Sequence, residues 1–261
     1  ESWIEGCHRL PSPHPRLPLT QWFFYPGFTE QSGGLLRERD LIERRDAFSA
    51  KDFAAFLDGL GVAPPEPEAL KVSLFGYENT ALPGLIEAWA TGAHPVWCAV
   101  TEGKVRSTLE AMLGRALTGA SRLGALSLNP VPFVPQPDYD RLLWGCDLNF
   151  VRGEDSLVRA LWAAKPLVWQ LYPQEEGAHL VKLEAFLERY SEGLAGAPAA
   201  ALRGIHDAWN RGEGGRFGAQ WPELLTALPA LTRQAECNAA RLAGQSDLAA
   251  QLAPFAKSKL K

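Results

Sequence analysis

Residues 147–174 read DLNFVRGEDSLVRALWAAKPLVWQLYPQ. Two apolar runs, LNFV (148–151) and PLVWQL (166–171), flank an amphipathic stretch that opens with Arg-Gly-Glu-Asp-Ser. Strand, helix and strand in this order form the repeating unit of a parallel α/β sheet. Serine and carboxylates in a first turn cap a helix, but the positive end of the helix dipole disfavours a cation such as Arg152. Arg152 therefore calls for an anionic partner.

The same alternation extends outward from this stretch. Helix-like runs separate the strand-like ones, and past Tyr172 the periodicity is helical only. The expected fold class is α/β, with a parallel sheet flanked by helices on both faces and covered by C-terminal helices. The last of these helices is expected to return toward an N-terminal half that would precede Glu1. The strand-like runs are VSLF (72–75), PVWCAV (95–100), ALSL (125–128), LNFV and PLVWQL.

The N-terminal part has a different character. WFFY (22–25) is a strand-like run without an evident partner, and a lone aromatic strand is an aggregation hazard. We therefore expect further protein to precede Glu1. Ser49 followed by KDFAAFLDGLG predicts a capped helix that ends at a glycine, and APPEPEA (63–69) predicts a linker.

Composition excludes several classes of function. The chain has 261 residues, of which 46% are hydrophobic and 21% charged. Its net charge is −4, and its sequence contains no long block of basic residues. A nucleic-acid partner is therefore not expected. The four cysteines are far apart, which predicts a reducing, cytoplasmic setting without disulfides or zinc. No run approaches the ~18 apolar residues of a membrane span.

Ligands of an open parallel sheet bind beyond the carboxyl ends of its strands. The loops there contain aromatic, amide and acidic side chains and one arginine. They are GYEN (76–79), TEGK (101–104), NPVPFVPQPDY (129–139), RGEDS (152–156) and YPQ (172–174). Rings suit a base, carboxylates suit ribose hydroxyls, and Arg152 at a helix start suits a diphosphate. No G-x-G-x-x-G follows a strand and no P-loop is present, which disfavours dehydrogenases and P-loop ATPases.

Structural explanations remain open for each of these residues. Phe75 and Tyr77 could pack against a neighbouring domain, and Phe133 could anchor its loop. Arg152 could pair with Asp147 or Glu154, although a surface pair contributes only ~0–1 kcal/mol. Cys7-His8 and His179 lack metal-ligand spacing, so a structural role is favoured for them.

Several strings of the chain resemble one family. FFYPGFTEQSGGLLRE, SLFGYEN, PFVPQPDYDRLLWGCDLNFVRGEDSLVRALWAAKPLVWQLYPQ and AHLVKLEAF are similar to the bacterial protein-arginine rhamnosyltransferases of elongation factor P, the EarP family. The resemblance implies a two-domain GT-B glycosyltransferase with a Rossmann-like C-terminal domain. It also implies transfer of rhamnose from dTDP-β-L-rhamnose to an arginine of elongation factor P, with inversion and without a metal or other cofactor.

The resemblance also assigns donor-binding residues. Phe75 and Tyr77 match positions close to the donor, and Phe133 and Gln136 match positions that hold the thymine. Tyr139 stands where the family is expected to have phenylalanine. Arg152, Ser156 and Tyr172 match diphosphate contacts. Glu154 and Asp155 match an acidic pair that activity needs, on the ribose or rhamnose side.

The chain departs from the family at its front. The family's general base is an aspartate in a DNFGD-like motif of the N-terminal domain, and these residues contain no such motif. The resemblance therefore implies that the base lies upstream and that the chain alone is inactive. The domains it implies are an N-terminal acceptor and catalytic remnant (1–48), a helix and linker (49–69), the nucleotide-sugar domain (70–218) and the C-terminal helices (219–261).

Two other functions fit the same architecture. A nucleotide-sugar 2-epimerase would need histidine and carboxylate catalysts, and the five loops contain no histidine. A non-catalytic nucleotide-sugar-binding domain would need no catalyst at all. The sequence upstream of Glu1 is what discriminates between them.

Overall fold

The N-terminal part consists of short elements. The structure, a computed structural model, describes residues 2–260. The hydroxyl of Ser49 accepts a hydrogen bond from the N–H of Asp52 at 3.2 Å, and the Asp52 carboxylate accepts the Ser49 N–H at 2.9 Å. This capping box confirms the predicted helix start. The elements are α1 (Ser2–Cys7), β1 (Pro11–Pro13), β2 (Thr20–Trp22), α2 (Leu41–Ala47) and α3 (Ala50–Gly59).

The prediction that WFFY is a strand without a partner was wrong. Only Trp22 of this run belongs to a strand, and β2 pairs antiparallel with β1 through Pro11↔Trp22 and Pro13↔Thr20. Of the aromatic residues that follow, Phe24 packs with its ring 5.2 Å from that of Phe255, while Phe23 is exposed. The partner strand escaped prediction because prolines at both of its ends hide any strand pattern.

The main sheet has six strands in the order β5-β6-β4-β3-β7-β8. All neighbours pair in parallel except β5, which joins β6 as an antiparallel hairpin. The five predicted parallel strands are thus confirmed, while the short edge strand β5 was not foreseen. The elements are β3 (Leu70–Leu74), α4 (Leu82–Thr91), β4 (Val96–Thr101), α5 (Lys104–Leu113), β5 (Ser121–Leu123), β6 (Leu126–Val131), α6 (Gln136–Gly145), β7 (Leu148–Arg152), α7 (Gly153–Trp162) and β8 (Leu167–Gln170).

Both faces of the sheet are buried, as a continuous apolar strand such as β4 requires. Val96, Cys98 and Val100 face a large core that includes Trp89 of α4. Trp97 and Ala99 face a smaller core with residues of α3 and α6. Helices therefore flank the sheet on both faces, as the predicted α/β class requires.

The C-terminal part is helical, as predicted. The long helix α10 begins at Phe217, close to the predicted domain boundary at residue 219. Phe255 of α11 packs on the N-terminal aromatics, so the last helix returns to residues 1–48. Within residues 2–260, no helix combines the length and apolar character that crossing a bilayer requires. The helices are α8 (Ala178–Tyr190), α9 (Gly196–Arg211), α10 (Phe217–Ala243) and α11 (Leu248–Lys259).

Candidate functional site

A pocket of about 800 Å³ lies at the carboxyl ends of the parallel strands. Strands β3 and β7 are neighbours in the sheet, yet the chain leaves them toward opposite sides of the strand order. Such a switch point is where open α/β sheets bind ligands. Nine of the ten predicted site residues line the pocket: Phe75, Tyr77, Phe133, Gln136, Tyr139, Arg152, Glu154, Asp155 and Ser156.

Arg152 stacks on two rings at the switch point. Its guanidinium carbon lies 4.5 Å from the ring centroid of Phe75 and 4.6 Å from that of Tyr77. Within residues 2–260, its side chain makes no ion pair or hydrogen bond. Aromatic stacking occupies the faces of a guanidinium and leaves the N–H groups at its edge for an anion.

The alternative that Arg152 pairs with Asp147 or Glu154 is not supported. The Asp147 carboxylate lies 3.1 Å from Nζ of Lys71 and accepts the backbone N–H of Lys71 at 2.9 Å. Glu154 and Asp155 are exposed in the first turn of α7. In the described part of the chain, neither of these two carboxylates has a partner.

The start of α7 is shaped by backbone geometry. Gly153 has φ +64°, a left-handed conformation that favours glycine, and a Cβ there would lie 3.2 Å from the Tyr77 hydroxyl. The Ser156 hydroxyl is hydrogen-bonded to the backbone N–H of Arg152 at 3.1 Å and to its carbonyl. Ser156 therefore fixes the Arg152 backbone at the end of β7.

Tyr172 is the one predicted residue that does not line the pocket. It is 68% exposed, and its ring meets that of Tyr77 edge-on at 5.4 Å between centroids. It lies beside Tyr77, one of the two rings that contact Arg152.

The opposite end of the pocket is more open. The Phe133 side chain is 83% exposed, while its backbone N–H donates to the Glu102 carboxylate at 3.0 Å. The Gln136 amide donates to Glu38 at 3.4 Å. The loop is thus fixed by its backbone, and an aromatic face remains available to a flat ligand.

Tyr139 lies at the floor of the pocket. Its ring meets Phe75 edge-on at 5.8 Å between centroids. Burial raises the pKa of its hydroxyl. The hydroxyl lies next to Ser156 but makes no hydrogen bond of normal geometry within residues 2–260.

An ionic cluster that the sequence did not reveal lies beneath these residues, and its Arg159 lines the pocket. The Arg159 side chain is 7% exposed and the Asp140 side chain 3%. Nε of Arg159 donates to Asp140 at 2.7 Å, and Nη1 donates to Glu38 at 2.8 Å. The signal in the sequence was a charged residue within the apolar face of α7.

A second missed residue is Gln170, which is 4% exposed at the end of β8. Its Oε1 accepts the backbone N–H of Tyr77 at 2.8 Å. Its signal was a polar side chain inside the apolar run PLVWQL.

The remaining histidine predictions concern metals and catalysis. Nδ1 of His8 accepts the Tyr25 N–H, and Nδ1 of His179 accepts the Gln174 N–H, both at 3.1 Å. Within the described residues, no group of three or more histidines, cysteines or carboxylates is arranged to hold a metal ion. None of the pocket-lining residues is a histidine, so the structure offers no support for the epimerase alternative.

Comparisons with known proteins bear on this geometry. Residues 1–257 match the family model described as "Elongation-Factor P (EF-P) rhamnosyltransferase EarP". The chain belongs to this family. Membership in the EarP family confirms the resemblance on which the site residues were assigned.

Individual relatives agree. A protein-arginine rhamnosyltransferase of Pseudomonas putida is 46% identical over 265 residues, which span 100% of this chain and 69% of that protein. One of Pseudomonas aeruginosa is 48% identical over 260 residues, which span 98% of this chain and 68% of that protein. A solved structure described as "Structural basis for EarP-mediated arginine glycosylation of translation elongation factor EF-P" superimposes with a TM-score of 0.82. It shares 42% identity and covers 90% of this chain and 76% of that one.

Proposed function

We propose that this chain binds dTDP-β-L-rhamnose for a protein-arginine rhamnosyltransferase that acts on elongation factor P. The carrying observation is the unpaired Arg152 guanidinium, stacked on Phe75 and Tyr77 at the sheet's switch point. The transferred sugar, rhamnose, and the acceptor residue, arginine, are taken from the names of the relatives and of the family. Because the acceptor is a translation factor, we place the reaction in the cytoplasm.

In our proposal the pocket divides between the two ends of the donor. Phe133, Gln136 and Tyr139 receive the thymine, because Phe133 offers an exposed ring held by its backbone. The N–H edge of Arg152 receives the diphosphate, together with Ser156, Tyr172 and the start of α7. Glu154 and Asp155, which have no partner in the described part of the chain, face the sugar hydroxyls.

The chemistry explains this division. A guanidinium nitrogen of the acceptor forms a bond to C1 of rhamnose, and the bond from C1 to the dTDP oxygen breaks with inversion. The leaving electron pair goes to dTDP, whose developing charge Arg152 and the helix start stabilise without a metal ion. The proton from the guanidinium passes to a carboxylate base.

In our proposal, the general base does not belong to these 261 residues. The resemblance places it in a DNFGD-like motif, which the 261 residues do not contain. Losing a positioned general base commonly costs ~10²–10⁴ in rate. The chain alone is therefore expected to bind donor and to transfer no rhamnose.

The test combines binding and transfer. Calorimetry should detect dTDP binding by the 261-residue chain. Intact mass spectrometry of elongation factor P should show a rhamnose-sized increase with a chimera carrying the upstream segment of the Pseudomonas aeruginosa relative, but none with the chain alone. A chimera with the motif aspartate replaced by asparagine is the matched control. Absence of dTDP binding would contradict the proposal, and transfer by the chain alone would place the base within it, with Glu154 and Asp155 the first suspects.

A further inference from the structure

We propose that Gln170 is a positioning residue for the donor diphosphate, acting through Tyr77 on Arg152. The inference rests on the proposed function, since it names what holds the diphosphate-binding cation in place. Gln170 itself is buried and does not line the pocket.

Gln170 lies at the end of β8, next to β7 in the sheet. It stands opposite Arg152 in the parallel register of β7 and β8. Its side chain extends to the loop after β3, where Oε1 accepts the Tyr77 N–H at 2.8 Å. One carboxamide thus links β8 to the loop on the other side of β7.

The loop after β3 packs closely against this carboxamide. A Cβ on Gly76 would lie 2.9 Å from Oε1 of Gln170 and 3.6 Å from the Trp209 ring. Any larger residue at position 76 would therefore push the carboxamide away from Tyr77. Glycine is needed there for close approach, because its φ does not lie in the left-handed region.

Tyr77 in turn contacts the Arg152 guanidinium. The Tyr77 ring lies 4.6 Å from the Arg152 guanidinium and 5.4 Å from the Tyr172 ring. Its backbone is anchored by Gln170, while its side chain sets the plane on which Arg152 stacks. Without the anchor, the ring and the guanidinium lose a fixed orientation before the ligand arrives, and preorganisation is lost from binding.

The variant that tests this is Gln170→Met, which keeps the length of the side chain and removes the acceptor oxygen. We expect the dissociation constant for dTDP to rise by about 3- to 10-fold, the usual effect of one hydrogen bond. The affinity for thymidine, measured by NMR titration, should change by less than about twofold, because the base end of the pocket does not depend on Tyr77. A role in folding alone would not separate these two ligands.

Two further variants keep the test decisive. Gln220→Met removes another buried glutamine amide, in α10 and outside the pocket lining, whose Oε1 has no partner within residues 2–260; dTDP binding should be unchanged. Gly76→Ala should reproduce the selective loss of dTDP affinity by displacing the Gln170 carboxamide without substituting Gln170 itself, and it replaces Gln170→Met if that variant does not fold.

The outcomes separate the two proposals. A wild-type chain that does not bind dTDP overturns the proposed function and this inference with it. If the wild type binds dTDP, equal dTDP affinity in folded Gln170→Met overturns the inference alone. Equal losses for dTDP and thymidine also overturn it, because they would show a general effect on the pocket.

Discussion

Two arginines, Arg152 at the end of β7 and Arg159 in α7, line the same pocket in opposite states. The Arg159 side chain is 7% exposed and paired with two carboxylates, Asp140 and Glu38. Arg152 lies over two aromatic rings without a carboxylate partner in the described part of the chain. Arg159 donates its N–H groups to protein carboxylates, whereas in our proposal those of Arg152 are available to the donor diphosphate. In our proposal, the partners of a cation, rather than its position in a pocket, distinguish a structural role from a binding role.

The surroundings of the two arginines differ in the same way. The Arg159 end is held by charges. The Arg152 end is held by neutral groups: Gln170 accepts the Tyr77 N–H at 2.8 Å, and the Trp169 indole donates to the Gly153 carbonyl at 2.8 Å. Behind them, Nε2 of His206 accepts the Trp169 backbone N–H at 3.1 Å.

The largest expected effect is the loss of stability when Arg159 is replaced. Arg159→Met leaves Asp140 buried without its partner, which should reduce the free energy of unfolding by about 3–5 kcal/mol. Arg152→Met, the matched control, should cost no more than about 1–2 kcal/mol, because only ring contacts are lost. Urea unfolding of both variants measures the difference. Equal losses would mean that the two arginines are not in different states.

A smaller expected effect comes from protonation of His206, one of the neutral groups behind the Arg152 end. Burial lowers the pKa of His206 to about 4 from the ordinary value of 6.5. The unfolded state then binds a proton more readily than the folded state, so stability is lost as the pH falls from 6.5 toward 4. The loss should reach about 2–3 kcal/mol near the lower end of this window.

The measurement is the free energy of unfolding between pH 6.5 and 4.5. His206→Gln should remove most of the slope in this window, while His94→Gln, at an exposed position, should leave it unchanged. The same slope in the wild type and in His206→Gln would refute this account of the histidine.

The smallest expected effect concerns the open end of the pocket. Phe133→Ala should leave stability unchanged, because the ring is 83% exposed. It should weaken dTDP binding by about 1 kcal/mol or somewhat more if the ring stacks on the thymine. Phe133→Tyr keeps the ring and should bind like the wild type. If Phe133→Ala also bound like the wild type, the thymine would have to lie elsewhere.

Much of this arrangement could be predicted from the sequence. The alternation of apolar strands and amphipathic helices was sufficient for five parallel strands, and their carboxyl ends necessarily bring Phe75, Phe133 and Arg152 to one edge. The resemblance to the EarP family then attached roles to those positions. These predictions rest on local pattern and on topology, which short stretches of sequence encode.

What could not be predicted depends on contacts between distant parts of the chain. Arg159 meets Glu38, which lies 121 residues away, and Gln170 meets Tyr77 across 93 residues. Local periodicity contains no information about such pairs. The strand β1 was not predicted for another reason. It begins at Pro11 and ends at Pro13, and proline is depleted in strands.

The most direct test of the central claim is calorimetric titration of dTDP into the wild-type chain and Arg152→Ala, with circular dichroism to confirm folding. The account predicts a dissociation constant about 10- to 100-fold higher for Arg152→Ala, since a charge-assisted hydrogen bond contributes ~1.5–3 kcal/mol. Unchanged dTDP affinity in a folded Arg152→Ala protein would contradict the assignment of this arginine to the diphosphate.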